Sequence, residues 1–460
     1  MKKKALKNIS IFGTSSDAGK STVTFIIAKI LQDAGYSVAP FKAQNVSNNA
    51  KVADDNSEIA IAQYFQAKEI LHIPTSYHLN PILLKSGKGS SSSLIIEGKA
   101  IEQKDIREYY KDLDTLKPIV KRNFEYLDKR YDVVVAEGAG SPVELNLMDK
   151  DLSNIYIADE FDTKIILVAD IQKGGVFASI YGVYHLLPPK LQSQVIGVIV
   201  NKFQGDMSLF DEGVRIIQEE FGLRVFGVLP YHSLDLGFED SASLLNYRQN
   251  RANAKIKIAV IKYPTMSNYN DMEPLLADSE LDVEFVSSDI SLRGYDMVIL
   301  PGSKLTIDDL RWLQESNIDK RILEYEGVIF GICGGYEKLC NSVGGHRALG
   351  LIDDEIEFVS DKILERKVYD IFGIKVLGFE LHEGISAKGR VHYHQGRIYA
   401  TFVHEVFDSN EFRDMIFKNI NQNYQGYDFQ KYKQNKISEF MEVMKSHLDE
   451  EGIIVNVKMS

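Results

Sequence analysis

The sequence has few cysteines, no long hydrophobic run and no excess of positive charge, and each of these shortages excludes a class of protein. Cys333 and Cys340 are the only cysteines among 460 residues, so a disulfide framework is excluded and a cytoplasmic location is expected. No apolar run approaches the ~18 residues that span a bilayer, and the run after the basic start is too short for a signal peptide. The formal net charge of -12 argues against a nucleic-acid partner. Neither a membrane nor a nucleic acid is therefore an expected partner.

Short apolar runs alternate with helix-like segments along most of the chain. Val- and Ile-rich strands that alternate with helices are typical of a parallel sheet covered on both faces. We therefore predict an α/β protein with two α/β domains, consistent with a length that indicates about two or three domains. The predicted boundaries are residues 1–245 for the first domain, 246–255 for a polar linker, and 256–460 for the second domain with a polar C-terminal extension.

The stretch GTSSDAGKST, residues 13–22, resembles a nucleotide-binding P-loop between a strand and a helix. A Walker A loop places its first Gly six positions before the Lys, where this chain has Thr14, so the loop is one residue longer. Gly19 allows close backbone approach, Lys20 would reach the outer phosphates, and the Ser21 hydroxyl can bind Mg²⁺. The sequence thus predicts a P-loop NTPase-like domain that binds ATP through Gly13, Thr14, Asp17, Ala18, Gly19, Lys20, Ser21 and Thr22.

Acidic residues follow predicted strands and provide candidate ligands for Mg²⁺. Glu137 and Asp170 each end a predicted strand, and Asp55 and Glu58 lie near a predicted helix start. Taken singly, each acid would more often be a helix cap or a solvated side chain. Mg²⁺ prefers one or two carboxylates together with water and phosphate oxygens, so acids at a P-loop edge favour a metal site. The predicted metal ligands are Ser21, Asp55, Glu137 and Asp170.

Six stretches appear in the order and near the spacing found in one enzyme family: GTSSDAGKST, FKAQNVSNNA, DDNSEIAIAQ, LNPILLK, EGAGSPVELNL and VADIQKGGVFAS. They resemble the cobyric acid synthase family of the cobalamin pathway, and the N-terminal half is similar to dethiobiotin synthetase, which shares the lengthened P-loop. The resemblance implies ATP- and Mg²⁺-dependent amidation of a carboxylate, without a tightly bound prosthetic group. It also implies that substrate contacts come from Lys42, Gln44, Asn45 and Glu58.

The stretch GVIFGICGGYEKLC places Cys333 at a sharp turn between an apolar strand and a helix-like segment. Such a turn is typical of a catalytic nucleophile, and a helix N-terminus favours the reactive thiolate. Cys340 lacks this setting and is interpreted as a core residue. His404, which ends a strand-like run, is the candidate base. His392 and His394 alternate along a predicted strand, but two histidines alone are weak grounds for a metal site.

The second half resembles the class I glutamine amidotransferases, which implies a flavodoxin-like sheet. In PGSKLTIDDL and GICGGYEKL, the resemblance assigns the backbone N–H groups of Gly302 and Gly334 to an oxyanion hole. Glutamine would form a thioester on Cys333 and release ammonia. The class carries Glu two positions after the His, but Val406 occupies that position here. Glu405 stands where the family commonly has Gly and would point away from His404 in a strand, so the third member of the site stays open.

The resemblance implies a specific reaction and specific small-molecule partners. ATP and glutamine would drive amidation of carboxylates b, d, e and g of adenosylcobyrinic acid a,c-diamide, which gives cobyric acid. The sequence is also compatible with a homo-oligomer. One alternative is cobyrinic acid a,c-diamide synthase, which typically carries a GPDY-type stretch where this chain has KAQNVSNNA. Another is a regulatory P-loop ATPase that acts as a binding switch, although it would leave Cys333 and the second domain unexplained.

Overall fold

The computed structural model describes residues 6–86, 91–105, 113–232, 234, 251 and 253–458. Its backbone divides into two compact units. The first contains the described residues up to residue 47, those from 53 to 234, and those from 435 onward. The second contains residues 48–52 and the described residues from 251 to 434. Most of the predicted linker, residues 246–250 and 252, lies outside the described residues.

Most strands of the two larger sheets are short and rich in Val and Ile, as the sequence predicts for buried strands of α/β sheets, whereas the strands Ile352–Ile371 and Ile374–Ser386 are long. The strands of the described residues are β1 Ile9–Gly13, β2 Val38–Phe41, β3 Gln44–Val46, β4 Ala50–Val52, β5 Glu58–Ala60, β6 Ile82–Ser86, β7 Ser91–Ile96, β8 Lys99–Asp105, β9 Val133–Glu137, β10 Lys164–Asp170, β11 Val195–Phe203, β12 Val225–Pro230, β13 Ile256–Ile261, β14 Leu281–Val286, β15 Met297–Leu300, β16 Val328–Ile332, β17 Cys340–Val343, β18 His346–Arg347, β19 Ile352–Ile371, β20 Ile374–Ser386, β21 His392–Gln395 and β22 Ile398–Thr401.

The helices mostly connect successive strands. The α-helices are α1 Lys20–Asp33, α2 Ile61–Phe65, α3 Lys117–Asp128, α4 Ile155–Glu160, α5 Val176–Leu186, α6 Pro189–Gln192, α7 Asp211–Glu219, α8 Glu273–Ala277, α9 Thr306–Glu315, α10 Ile318–Glu324, α11 Gly334–Leu339, α12 Asn410–Ile420, α13 Phe429–Lys445 and α14 Glu450–Val457. A π-helical turn covers Gln66–Ile70, and 3₁₀ turns cover Tyr77–Leu79, Leu113–Thr115, Met148–Lys150, Met207–Phe210, Tyr269–Met272 and Val406–Asp408.

The first unit is built on a six-stranded sheet in the order β12-β11-β10-β1-β9-β2. All of its neighbouring strands are parallel. Strands β1, β2 and β9 are buried along their whole length, because helices cover both faces of such a sheet. The carboxyl ends of β1, β9 and β10 therefore open onto one edge, where the candidate P-loop and two candidate acids lie.

The second unit contains a sheet in the order β14-β13-β15-β16-β22-β21. Its first five strands are parallel, and β21 joins the edge antiparallel to β22. Numbered along the chain, these five strands follow the 2-1-3-4-5 order of flavodoxin-like sheets. The long antiparallel pair of β19 and β20 forms a second sheet with β17 and β18. The predicted fold class, with two α/β sheets of these two kinds, is confirmed.

The last residues of the chain pack in the first unit, although the sequence suggests that they extend the second domain. The N–H group of Lys7 donates to the carbonyl of Val457 at 2.8 Å, and that of Asp449 donates to Phe226 at 2.7 Å. The Phe440 ring lies 5.8 Å from that of Phe25 on α1. Phe440 and Met444 of α13 and Ile453 and Val457 of α14 are buried, and this burial of apolar surface favours packing of the extension in the first unit.

Candidate active sites

The lengthened P-loop joins the end of β1 to the start of α1. Gly19, immediately before α1, has a φ of +92°, which favours glycine over other residues. A Cβ atom at Gly19 would lie 2.1 Å from Nδ2 of Asn201, which donates to the carbonyl of Ala18 at 2.9 Å. A Cβ atom at Gly13 would lie 2.9 Å from Nζ of Lys20. The two glycines thus leave room for a compact loop with a buried Lys20.

Two lysines that sequence reasoning missed hold the outer part of this loop. Lys202 donates to the carbonyl of Asp17 at 2.5 Å, and Lys173 donates to the carbonyl of Ser16 at 3.2 Å. The N–H group of Thr14 donates to Val168 of β10 at 2.9 Å, which fixes the loop to the sheet. The predicted ATP-binding residues 13–22 therefore lie together at the carboxyl edge, with two further cations beside them.

Glu137, at the end of β9, organises the polar side chains beside the loop. Its Oε1 atom accepts a hydrogen bond from Ser21 at 2.7 Å and forms an ion pair with Lys42 at 2.6 Å. Its Oε2 atom accepts from Gln66 at 3.1 Å and from Gln63 at 3.4 Å. Burial opposes ionisation of Glu137, yet Lys42 and the hydrogen bonds keep its pKa below the ordinary value. A buried carboxylate is thus available next to the Ser21 hydroxyl.

Lys20 is held in an unusual electrostatic environment. Burial lowers its pKa to about 8, and Glu137 opposes this shift while Lys42 reinforces it. Only 8% of the Lys20 residue surface is exposed. A buried ammonium without enough negative charge around it is suited to an anionic ligand, since phosphate oxygens would favour its protonated form.

The other predicted metal ligands have different surroundings. Asp170, at the end of β10, accepts from the N–H group of Gln172 at 2.8 Å and pairs with Lys202 at 3.1 Å. Asp55 closes a local turn by accepting from the N–H group of Ser57 at 3.1 Å. Among the residues that the structure describes, no group of three His, Cys, Asp or Glu side chains forms a preformed metal cluster. The pair that the structure does bring together is Ser21 with Glu137.

Of the four predicted substrate-binding residues, two connect to the cluster around Glu137 and two have other surroundings. Lys42 belongs to the Glu137 cluster, and Asn45 reaches it indirectly by donating to Gln63 at 3.0 Å. Glu58 is buried and forms an ion pair with Lys85. Gln44 lies on the short strand β3, in register with Ile82 of β6. Gln63, the last residue of the stretch DDNSEIAIAQ, and Gln66, three residues beyond it, are additions to the predicted contacts, because a glutamine in an apolar helix carries no distinctive chemical signal.

In the second unit, Cys333 lies at the turn between β16 and α11. Its φ of +51° is in the region that non-glycine residues rarely adopt, which is typical of a nucleophile on a strained strand-to-helix turn. A Cβ atom at Gly335 would lie 1.8 Å from the carbonyl oxygen of Leu300, so the helix can approach the sheet only with glycine there. The turn geometry predicted for Cys333 is therefore present.

His404 forms its strongest contact with an acid that sequence reasoning missed. Its Nδ1 atom lies 2.6 Å from Oδ2 of Asp271, and both residues are 1% exposed. Burial lowers the pKa of His404, but the charge of Asp271 and then that of Cys333 overcome this and raise it to about 10. The second oxygen of Asp271 accepts from the N–H group of Glu405 at 2.9 Å. The imidazole of His404 thus has Asp271 at Nδ1 and the Cys333 thiol close enough to influence its pKa, and the three residues are a candidate nucleophile, base and orienting acid.

The expectation that His404 and Glu405 lie on a strand is wrong. Strand β22 ends at Thr401, and Glu405 turns the chain with a φ of +66°. The carboxylate of Glu405 pairs with Lys51 at 2.5 Å and with Arg366 at 2.7 Å. Burial opposes ionisation, but these two cations hold the pKa of Glu405 at about 2. Glu405 is therefore engaged with cations, and Asp271 contacts the imidazole.

The two candidate oxyanion-hole glycines lie beside this constellation. A Cβ atom at Gly302 would lie 3.2 Å from Cε1 of His404 and 3.0 Å from the carbonyl oxygen of Ser267. A Cβ atom at Gly334 would lie 2.9 Å from the backbone nitrogen of Ser303. Both positions therefore present backbone, with no room for a side chain, next to the residues around Cys333 and His404.

Cys340, His392 and His394 each pack against neighbouring residues. Cys340 is fully buried, its Sγ donates to the carbonyl of Tyr336 at 3.4 Å, and burial raises the pKa of its thiol. The ring of His394 stacks on Tyr399 at 4.0 Å, and burial lowers the pKa of His392. These contacts give all three side chains a packing role. Among the described residues, the helices lack the combined length and apolar character needed to cross a bilayer.

Two family models and several relatives match the chain over most of its length. Residues 9–236 match the CobQ/CobB/MinD/ParA nucleotide binding domain, and residues 257–412 match the CobB/CobQ-like glutamine amidotransferase domain. The chain is 59% identical to the cobyric acid synthase of Acinetobacter baylyi over 96% of this chain and 98% of that protein. It is 34% identical to the cobyric acid synthase of Clostridium acetobutylicum over 89% of each. A probable cobyric acid synthase of Methanocaldococcus jannaschii is 36% identical over 90% of this chain and 91% of that protein.

A relative this similar over nearly the whole of both chains, together with domain matches that cover both units, leaves one assignment. The chain belongs to the cobyric acid synthase family and is a glutamine-dependent amide ligase.

Proposed function

We propose that the chain amidates carboxylates b, d, e and g of adenosylcobyrinic acid a,c-diamide with ATP and glutamine, which gives cobyric acid. The observation that carries this proposal is the presence of two separate sets of buried polar side chains in a member of this family. One set surrounds Lys20 and Glu137 beside a phosphate loop, and the other joins Cys333, His404 and Asp271. Each set suits one half of a glutamine-dependent amidation.

The first set suits activation of a carboxylate. A carboxylate is a poor electrophile, because its oxygen is a poor leaving group. Attack of a carboxylate oxygen on the γ-phosphorus of ATP forms an acyl phosphate and breaks the bond to ADP. Ammonia then attacks the acyl carbon, phosphate leaves, and the nitrogen loses a proton to give the amide. The protein's task is to align the two reactants and to balance charge, for which Lys20 and the loop N–H groups are suited.

The residues at this edge fit Mg²⁺ and the phosphates of ATP. Ser21 and Glu137 provide one hydroxyl and one carboxylate, and Mg²⁺ normally takes its other ligands from water and phosphate. When bound, Mg²⁺ would neutralise phosphate charge during transfer. Lys42 now pairs with Glu137 and would be free to pair with phosphate once the ion occupies that carboxylate.

The second set suits release of ammonia from glutamine. The Cys333 thiolate would attack the side-chain amide carbon, while His404 protonates the departing nitrogen, so ammonia leaves and a glutamyl thioester remains. Water, deprotonated by His404, would then release glutamate. Asp271 holds the Nδ1 side of the imidazole, which leaves Nε2 to exchange protons. The N–H groups of Gly302 and Gly334 are proposed to stabilise the oxyanion.

The test incubates the protein with ATP, Mg²⁺, amide-¹⁵N glutamine and adenosylcobyrinic acid a,c-diamide, and counts the labelled amides by mass spectrometry. Four labelled amides per corrinoid are expected. Cobyrinic acid, which has free a and c carboxylates, is supplied in a parallel reaction. If only this second substrate is amidated, and only twice, the chain is the a,c-diamide synthase instead. ATP hydrolysis without any amide product would favour a regulatory ATPase.

A further inference from the structure

The pentapeptide 48–52 belongs by sequence to the nucleotide-binding half, yet the structure places it in the second unit. Both of its ends contact elements near the Cys333–His404 pair. The side-chain oxygen of Asn48 accepts from Nζ of Lys304, two residues after Gly302, at 3.2 Å. The carbonyl of Val52 accepts from Nε of Arg366 at 2.8 Å. The segment is therefore fixed at both ends beside the candidate glutaminase site.

Asn49 and Ala50, in the middle of the pentapeptide, form hydrogen bonds with Asn268, whose side chain faces His404. The N–H group of Asn268 donates to the side-chain oxygen of Asn49 at 3.0 Å, and the N–H group of Ala50 donates to Oδ1 of Asn268 at 3.4 Å. Nδ2 of Asn268 lies 3.4 Å from Nε2 of His404. Asn268 has a φ of +51°, so its backbone adopts a conformation that needs support from its surroundings. Asn49 and Ala50 provide that support on one side of the imidazole.

Lys51 contacts Glu405, the residue that follows His404 in the chain. Its Nζ pairs with Glu405 at 2.5 Å, and Arg366 pairs with the other oxygen of that carboxylate at 2.7 Å. The N–H group of Glu405 donates to Asp271, which in turn binds His404. The direction of this N–H group depends on the left-handed turn at Glu405, a conformation that is unfavourable for a residue with a side chain. The ion pairs anchor the side chain and so keep the turn in place.

We infer that residues 48–52 form a positioning element of the glutaminase site, in which Lys51 acts through Glu405 to keep Asp271 in contact with His404. This inference rests on the proposed role of Cys333 and His404. A buried ion pair is costly to form and is weak ground for a role in stability alone. Here the paired carboxylate belongs to Glu405, which directly follows His404 in the chain. Loss of the ion pair would therefore change the position of the histidine directly.

The test measures glutamine-driven and ammonia-driven amidation in the full-length protein carrying Lys51→Met. Glutamine-driven kcat is expected to fall about 10- to 100-fold, since misplacing a catalytic group by ~1 Å costs up to ~10²-fold. The KM for glutamine should change less than about twofold, because Lys51 is not expected to touch glutamine. Ammonia-driven amidation should be unchanged. Lys51→Arg keeps the charge and should restore most of the activity.

A double-mutant cycle separates positioning from a general structural effect. If Lys51 acts through Glu405, then Lys51→Met with Glu405→Gln should have no lower kcat than either single variant. Effects that multiply would overturn the inference, as would a wild-type kcat in Lys51→Met. Should Lys51→Met fail to fold, Glu405→Gln alone must show the same fall in kcat at constant KM, and a wild-type kcat would reject the inference.

The matched control is Lys367→Met, which removes an exposed ion pair with Glu365 on β19 of the same unit. It should leave both activities intact. Failure of the proposed function is distinguishable, because the wild-type protein would then show no glutamine-driven amidation at all. Failure of the positioning inference leaves the wild-type protein active and Lys51→Met equally active.

Discussion

The carboxylate of Asp271 lies 2.6 Å from Nδ1 of His404, although 133 residues separate the two in sequence. The acid comes from the 3₁₀ turn Tyr269–Met272 that follows the first strand of the second unit, whereas His404 follows its last parallel strand. Strand order brings the two together, since β13 and β22 both end at the same edge of a parallel sheet. The acid that contacts His404 therefore comes from an element remote from the histidine in sequence.

Asp271→Asn should lower glutamine-driven kcat by about 10²-fold, the lower part of the range for proton-transfer catalysis. Asp271 raises the pKa of His404 to about 10, above its ordinary value of 6.5, by favouring the imidazolium. Without that charge the imidazolium loses its proton at lower pH. The alkaline limb of the kcat profile should therefore move to lower pH. Steady-state glutaminase assays across pH 6 to 10 measure both effects.

Asp289→Asn is the matched control, because Asp289 pairs with the exposed Arg321 on the surface of the same unit. Its pH profile should equal that of the wild-type protein. An unshifted alkaline limb in Asp271→Asn would mean that Asp271 does not set the protonation of His404.

Cys333→Ala should lose glutamine-driven amidation and keep ammonia-driven amidation, since free ammonia needs no thioester. Cys340→Ala should keep both, because the buried Cys340 thiol is engaged with the carbonyl of Tyr336. This control should lower the melting temperature, because the smaller side chain leaves a cavity. Amide formation from ¹⁵N-labelled glutamine or ammonium measures the two routes, and equal loss of both in a folded Cys333→Ala protein contradicts the two-site scheme.

Lys20→Met should abolish amidation from both nitrogen sources, because the proposed role of Lys20 is in the phosphate step that both routes share. Burial lowers the pKa of Lys20 to about 8, so in the free protein its charge is lost as the pH rises through 8. ATP binding above that pH should take up a proton, which calorimetry in buffers of different ionisation enthalpy detects. Lys29→Met, on the same helix but paired with Asp33, should retain both activities and the same proton uptake.

The sheets and the nucleophile could be predicted from sequence because their signals are local. Six Val- and Ile-rich runs become the six strands of the first sheet, and the Gly-rich turn around Cys333 has the geometry that its spacing indicates. Lys20 and Ser21 follow from one short motif for the same reason. Local periodicity and turn chemistry thus suffice for these elements.

Asp271, Lys51 and the C-terminal helices could not be placed in this way. Asp271 precedes a helix and reads as an ordinary helix cap, and its partner is known only once the sheet has formed. The contacts of Lys51 depend on which unit its segment packs against. The position of α14 depends on which apolar surface is left uncovered for it. Long-range packing decides all three, and a single sequence carries no periodic signal for it.

Gly302→Ala should lower glutamine-driven kcat about 10-fold or more, within the range for loss of an oxyanion-hole donor or a small misplacement. An added Cβ atom would lie 3.0 Å from the carbonyl oxygen of Ser267 and 3.2 Å from Cε1 of His404, so the loop or the imidazole must shift. Gly294→Ala is the matched control, since no atom lies within 4 Å of its added Cβ. Pre-steady-state release of ammonia should slow in the first variant only.

Glu137→Gln should raise the Mg²⁺ concentration needed for half-maximal amidation and lower kcat with both nitrogen sources. The carboxylate of Glu137 lies beside the Ser21 hydroxyl, and an amide is a weaker ligand for Mg²⁺ than a carboxylate. The change also leaves Lys42 buried without its ionised partner, so the melting temperature should fall. Titration of Mg²⁺ at saturating ATP separates the metal effect from the stability effect.

Asp55→Asn tests whether the Mg²⁺ requirement depends on Asp55 as well as on Glu137. Sequence pattern makes both acids candidate Mg²⁺ ligands, but the structure uses Asp55 to close a turn with the N–H groups of Ser57 and Tyr77. An asparagine oxygen can replace Oδ1, which accepts from Ser57, whereas the longer 3.4 Å bond that Oδ2 accepts from Tyr77 is lost, so the fold should be only slightly destabilised and the Mg²⁺ requirement preserved. If Asp55→Asn instead raises the Mg²⁺ requirement as much as Glu137→Gln does, the ion depends on both acids and the Ser21–Glu137 pair is not sufficient to define its site.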